Sequence, residues 1–156
     1  MTTRSYERLS CPIAESLALL GDQWTLLIVR DALFGLTRFE QFQQSLGISR
    51  NLLARRLKTL VETGLLECRP QQPGGRRNDY VATKKCRDLI PVLMALGQWQ
   101  DKWSPHPDGP RVVPRDQTTG RPVRLRIRHA DEGTGVKADA VVFSLRDNSE
   151  KAGSAV

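Results

Sequence analysis

Gly47-Ile48-Ser49-Arg50-Asn51-Leu52-Leu53-Ala54-Arg55-Arg56-Leu57-Lys58-Thr59-Leu60 is the stretch on which the reading of this chain turns. Gly47 can take the left-handed conformation that closes a preceding helix. Ile48 is the apolar residue that ties the turn to a core, and Ser49 is a good cap for the next helix, because its hydroxyl can accept from a free amide of the first turn. From there Leu53, Leu57, Leu60 and Val61 recur at i, i+4, i+7 and i+8, one face of an α-helix over residues 50–63. The opposite face carries Arg50, Asn51, Ala54, Arg55 and Lys58. The pattern predicts a helix with an apolar back and a basic front, entered through a tight turn.

Upstream, Ile13, Leu17 and Leu20 give residues 11–20 a helical spacing, which Gly21 ends. Asp22 is placed to cap a second helix over residues 23–34, with Trp24, Leu27, Ile28, Ala32 and Leu33 inward and Gly35 at its end. Arg38 and Phe39 open a short third helix, with Phe39, Phe42 and Leu46 inward, that runs to Gly47. Two helices joined by so short a turn, the second strongly basic, form a helix-turn-helix pattern.

Downstream, Gly64 terminates the basic helix. Residues 65–69 read as a strand with Leu66 and Cys68 on one face. Residues 70–78 form a loop around Pro73, Gly74 and Gly75, and residues 79–82 read as a returning strand. Arg76 and Arg77 lie at the tip of this hairpin, which makes it a basic wing. Thr83 caps a last long helix to Trp103, with Leu89, Ile90, Leu93, Leu96 and Trp103 as its stripe. Pro91 should kink or restart that helix. The expected fold is therefore α+β, a mainly helical winged helix-turn-helix domain with a two-stranded wing over residues 1–103. Five of the nine prolines fall between Pro105 and Pro122, so residues 104–122 read as a Pro-rich linker. Val123, Leu125 and Ile127 alternate with Arg124, Arg126 and Arg128, a strand period. With a turn near residues 132–135 and a weak strand over 140–145, residues 123–145 read as a β-ribbon extension. Residues 146–156 read as a disordered tail.

The 156 residues carry a net charge of +7. Between Arg50 and Arg87 there are ten Lys and Arg against Glu62, Glu67 and Asp79, so this window holds the entire surplus and the remainder sums to zero. A surplus concentrated in one segment reads as a face for a polyanion. Residues 1–10 hold Arg4, Glu7 and Arg8 without an apolar targeting segment, and no apolar run approaches the length of a membrane span. Cys11, Cys68 and Cys86 form no CxxC pair, which points to reduced cytoplasmic thiols and to neither a disulfide framework nor a metal site. His106 and His129 belong to no catalytic spacing, and Gly74-Gly75 lacks the context of a phosphate loop. No enzyme activity, catalytic residue or cofactor is expected.

The major groove of B-DNA admits one helix and shows a distinct donor and acceptor pattern for each base pair. Arg50 and Arg55 have the forked donors that suit guanine, and Asn51 the paired donor and acceptor that suit adenine. Ala54 and Lys58 complete the outward row. Ser49 and the free amides beside it suit a phosphate. Arg38 suits backbone phosphate from the preceding helix, and Arg76 and Arg77 suit a minor groove or its phosphates. The expectation is a double-stranded DNA partner and no membrane.

The chain also resembles the HxlR-type family of bacterial winged helix transcriptional regulators, which is related to the MarR group. The resemblance rests on Cys11-Pro12-Ile13, Gly21-Asp22-Gln23-Trp24, Gly35 followed by Arg38-Phe39, and Gly47-Ile48-Ser49. It continues through Leu53, Arg56-Leu57, Leu60, Gly64-Leu65, and Tyr80 with Thr83. It implies a homodimer joined through the N-terminal region and the helix near residues 84–103, reading a pseudo-palindromic operator as repressor or activator. It also implies that Cys11 is a candidate sensor of oxidants or electrophiles, since a thiol at a helix N-terminus has its thiolate stabilised. Cys68 and Cys86 read instead as core or interface residues. Two other readings are a winged helix protein–protein interaction module without specific DNA binding, and a regulator gated by a small ligand at the dimer interface near Trp24, Leu93 and Trp99.

Overall fold

Proline lacks an amide hydrogen, so it fits the first turn of a helix, where that hydrogen would have no partner. Pro12 opens α1 (Pro12–Leu20) in this way. At its end a Cβ on Gly21 would come within 2.4 Å of the Leu17 carbonyl oxygen, so the chain turns there on a residue without one. The computed structural model describes residues 11–72, 77–131 and 133–143. They fall in two compact units, Met1–Val112 and Val113–Val156.

In the first unit α1 is followed by α2 (Thr25–Leu33), α3 (Phe39–Leu46) and α4 (Arg50–Glu62). Next come β1 (Leu66–Pro70), β2 (Asn78–Ala82), α5 (Lys84–Arg87) and α6 (Ile90–Trp103). The two strands pair antiparallel with Cys68 opposite Tyr80. This is the expected winged helix-turn-helix. Pro73, Gly74, Gly75 and Arg76 of the wing loop lie outside the described residues.

The core is built on the stripe of α4. Leu53, Leu57 and Leu60 are buried against Ile28, Val29 and Ala32 of α2, Phe42 of α3, Ile48, Leu65, Leu66 and Cys86. Several details differ from the spacing-based expectation. The inward face of α2 is Thr25, Ile28, Val29, Asp31 and Ala32, and Leu27 is exposed. Asp22 does not occupy the cap position itself. Its Oδ1 accepts from the amides of Trp24 and Thr25 one turn earlier, so α2 starts at Thr25. Cys68 is exposed on β1 rather than buried beside Leu66, because only the start of that strand lies over the core. The C-terminal helix restarts at Pro91 as expected: Thr83 accepts from Cys86 N to start α5, and Pro91 sits in the first turn of a separate α6. None of the residues of α6 is buried.

In the second unit the expected ribbon is held by single bridges, Arg115 with Pro122 and Arg128 with Gly135. Within the stretch read as a linker, Asp116 N donates to Arg121 O and Val123 N to Pro114 O, both at 2.9 Å. The Asp116 carboxylate accepts from the amides of Thr118 and Thr119, and these hold it below the usual carboxylate range. At the other end His129 N donates to Thr134 O and Val136 N to Ile127 O. Residues 138–140 form a 3₁₀ turn and residues 141–143 an irregular segment, so the weak strand expected over 140–145 is not formed where it is described. Residues 144–156, including the expected tail, lie outside the described residues.

Candidate nucleic-acid interface

Gly47 adopts φ +64, the left-handed turn that ends α3. Just beyond it Ser49 Oγ accepts from Leu52 N at 3.3 Å, so α4 starts with one of its free amides satisfied. The hydroxyl hydrogen of Ser49 is left available as a donor. With Leu53, Leu57 and Leu60 fixed in the core, the other face of α4 turns to solvent. Asn51, Ala54, Arg55 and Lys58 are all exposed there. Lys58 Nζ lies 3.7 Å from Glu62 Oε1, an open surface pair.

Arg50 is exposed but anchored. Its guanidinium carbon lies 4.9 Å from the centroid of the Phe39 ring, and its Nη1 donates to Gln43 Oε1 at 3.2 Å. It thereby joins the start of α4 to α3. Arg55, by contrast, has no described side-chain partner and stands free on the front of the helix. Arg38 is exposed at the start of α3, where Gln41 Oε1 accepts from the amides of both Thr37 and Arg38. Arg77 is exposed at the foot of the wing, and its carbonyl accepts from Gln71 N. Arg76 lies outside the described residues.

The wing is fastened to the helices. Tyr80 N donates to Thr37 O at 2.7 Å, and Arg38 forms a bridge with Asp79. Asp79 Oδ1 also accepts from Gln71 Nε2 at 2.9 Å. The segment entering α3 is thus tied to β2 by a single bridge beside the two-stranded sheet. On β1, Arg69 Nη2 pairs with Glu67 at 2.7 Å, which cancels charge on that strand.

Two roles were not visible in the spacing. Arg56 is not on the front of α4. Its Nε lies 3.3 Å from Asp22 Oδ1, so it braces α4 against the turn before α2. Its place beside the Leu53–Leu60 stripe marks it as a border position, but only the fold supplies its partner. Asp31 is buried on α2, with Oδ1 held by Arg30 at 2.7 Å and no partner for Oδ2 among the described residues.

Cys11 is partly exposed at the N-terminal edge of α1, and its carbonyl accepts from Glu15 N. Cys86 is fully buried, and burial pushes its thiol above the ordinary value, as expected of a packed, inert cysteine. Among the described residues no group of three His, Cys, Asp or Glu is placed to hold a metal, and no helix is long and apolar enough to cross a membrane. His106 Nδ1 accepts from the amide of Asp108 in its own turn.

Residues 19–108 match the family model described as HxlR-like helix-turn-helix. An HTH-type transcriptional regulator of Mycobacterium tuberculosis is 40% identical over 122 residues, 77% of each chain. Among solved structures, the transcription factor PA1607 superposes with a TM-score of 0.78 at 42% identity, covering 92% of this chain and 99% of that one. The reduced form of the regulator YodB of Bacillus subtilis superposes with a TM-score of 0.53 at 30% identity, covering 62% of this chain and 96% of that one. Helix-turn-helix, wing and relatives agree, and none of these relatives is an enzyme: the chain belongs to the HxlR-like helix-turn-helix family of bacterial transcriptional regulators.

Proposed function

We propose that this regulator acts in the cytoplasm as a homodimer on a pseudo-palindromic DNA operator, with α4 of each protomer in a major groove. The observation that carries this reading is the exposed row Asn51, Ala54, Arg55 and Lys58 on a helix whose back is locked into the core. Asn51 and Arg55 read base edges. Ser49, Arg38 and the wing arginines Arg76 and Arg77 hold phosphates, and Arg50 contributes charge from its seat on Phe39. The dimer joins through α1 and α6, whose Leu17, Leu96, Trp99 and Trp103 are apolar and exposed.

The test is selection from random duplex DNA, repeated with variants. Arg55→Glu and Asn51→Ala should each abolish selective binding while leaving the dimer folded, each base contact being worth ~1–3 kcal/mol. Unchanged selectivity in both would overturn the assignment of the reading residues. Weak, unselective binding by the unaltered protein would favour a protein–protein interaction module instead.

A second reading concerns control. YodB has been crystallised in reduced, diamide-treated and quinone-bound forms. In this chain Cys11 is the thiol at a helix start that solvent reaches, and Cys86 is shut in the core. Cys11 is accordingly the sensor of oxidants or quinones. Diamide or quinone treatment should change operator affinity in the unaltered protein and in Cys68→Ser, and leave Cys11→Ser unaffected. A Cys11→Ser protein that still responds rules the sensor out.

A further inference from the structure

Arg121, Arg124, Arg126 and Arg128 place four cations within eight residues that contain no Asp or Glu. All four are exposed, and none is ion-paired to a described residue. Arg30, Arg56 and Arg69 of the first unit, by contrast, each have a carboxylate. Asp116, in the turn before the segment, is already committed to the amides of Thr118 and Thr119.

The segment that carries these arginines is tied at both ends. Arg121 O and Val123 N are bonded to Asp116 and Pro114 on one side, and Ile127 O and His129 N to Val136 and Thr134 on the other. Between the ties Val123, Leu125 and Ile127 alternate with the arginines. Residues 123–127 form no regular strand, so the two ties set where the arginines lie along the segment. Such a row suits the regularly spaced charges of a nucleic-acid strand better than a single carboxylate. The planar guanidinium, with its fork of donors, matches phosphate geometry.

The relatives separate this unit from the helix-turn-helix itself. YodB is matched over nearly its whole length by less than two thirds of this chain, so a winged helix regulator is complete without it. PA1607 is matched over 92% of this chain, more than Met1–Val112 supplies. The second unit is therefore a shared addition to the family core.

We propose that residues 121–128 form a second DNA contact, a phosphate-binding ribbon that adds sequence-independent affinity to the reading done by α4. This rests on the reading above that the first unit binds duplex DNA. The ribbon recognises backbone charge and no base.

The test is a salt titration of the full-length protein on two duplexes, one random and one selected by the unaltered protein. Arg121, Arg124, Arg126 and Arg128 are all changed to Gln in one variant and all to Lys in another. A phosphate contact contributes ~0.9 to the slope of log affinity against log salt. The Gln variant should lose about 2–4 from that slope per chain, and bind both duplexes at least about tenfold more weakly with their ratio unchanged. The Lys variant should keep most of the slope, since it keeps the charge. Arg126→Gln alone should lose about 1, and serves if the fourfold Gln variant does not fold, as judged by its thermal transition. An unchanged slope in a folded Gln variant overturns the ribbon, as does a loss on the selected duplex alone. A change in oligomeric state with the slope intact also overturns it, and assigns the arginines to a second copy of the chain. If the unaltered protein binds no duplex, the reading of the first unit has failed, which is distinct from these outcomes.

Discussion

Arginines that look alike in the sequence do three different things on α4. Arg55 is free, Arg50 is held on Phe39 and Gln43, and Arg56 is turned inward to Asp22. Periodicity separates back from front, so it gave Leu53, Leu57 and Leu60 correctly. It cannot tell a free cation from one whose partner comes from another helix, and Asp22 is 34 positions from Arg56 in the chain. Asp22 was legible as an acceptor for amides near the start of α2, though it stands before the cap position, but not as a brace. It accepts the amides of Trp24 and Thr25 and the hydroxyl of Thr25, and faces Arg56. Asp22→Ala should therefore destabilise the protein by about 1–2 kcal/mol, the upper part of the range for a lost cap. Arg56→Ala should cost less, because that side chain is about one third exposed (34%) and the pair is partly screened. Urea unfolding of both variants checks the order. A larger loss in Arg56→Ala would show that the ion pair, and not the cap, holds this corner.

At the scale of elements, α3, the turn and α4 were legible because local chemistry and tertiary demand agree there. Gly47, Ile48 and Ser49 each do in the fold what their type favours in isolation. Gly47 has room for a methyl group but sits at φ +64, which disfavours any side chain. Gly47→Ala should cost about 1 kcal/mol through backbone strain alone. It should lower the thermal midpoint and leave operator selectivity intact, since the turn has no alternative path. If selectivity is lost while stability is kept, the turn itself touches DNA. The last helix was read less well. Pro91 restricts the chain before it, and the break between α5 and α6 lets Cys86 pack inward on one while the other leaves the core. A stripe of Leu and Ile predicts a buried face but does not say whose core buries it.

For the molecule as a whole, that unburied stripe is the main departure from a self-sufficient domain. Trp99 and Trp103 are 61% and 67% exposed, and Leu96 is close behind. Contiguous apolar surface of this kind marks an association site. If the proposed dimer joins here, Trp99→Glu should give a monomer by sedimentation, and weaken operator binding at least about tenfold through loss of the second half-site. A Trp99→Glu dimer would move the interface to another surface. The second unit was legible only as an alternation of Arg and apolar residues. Its bridges are single and its turns depend on hydrogen bonds such as those to Asp116, which no hydrophobic period reports.

The bond from Tyr80 N to Thr37 O and the bridge from Arg38 to Asp79 fasten the wing to the entry of α3. A wing hinged only at its own loop could adjust to each site like a finger. This one is geared to the helices, so on the proposed operator the wing and the helices of the first unit would meet DNA as one jaw. What a dimer built from such jaws can vary is the gap between them. Its operators should tolerate one inserted base pair between the halves more readily than a shift between the wing and helix contacts within a half-site. Evolution of a new target would then proceed by exchanging Asn51 and Arg55 on an unaltered frame.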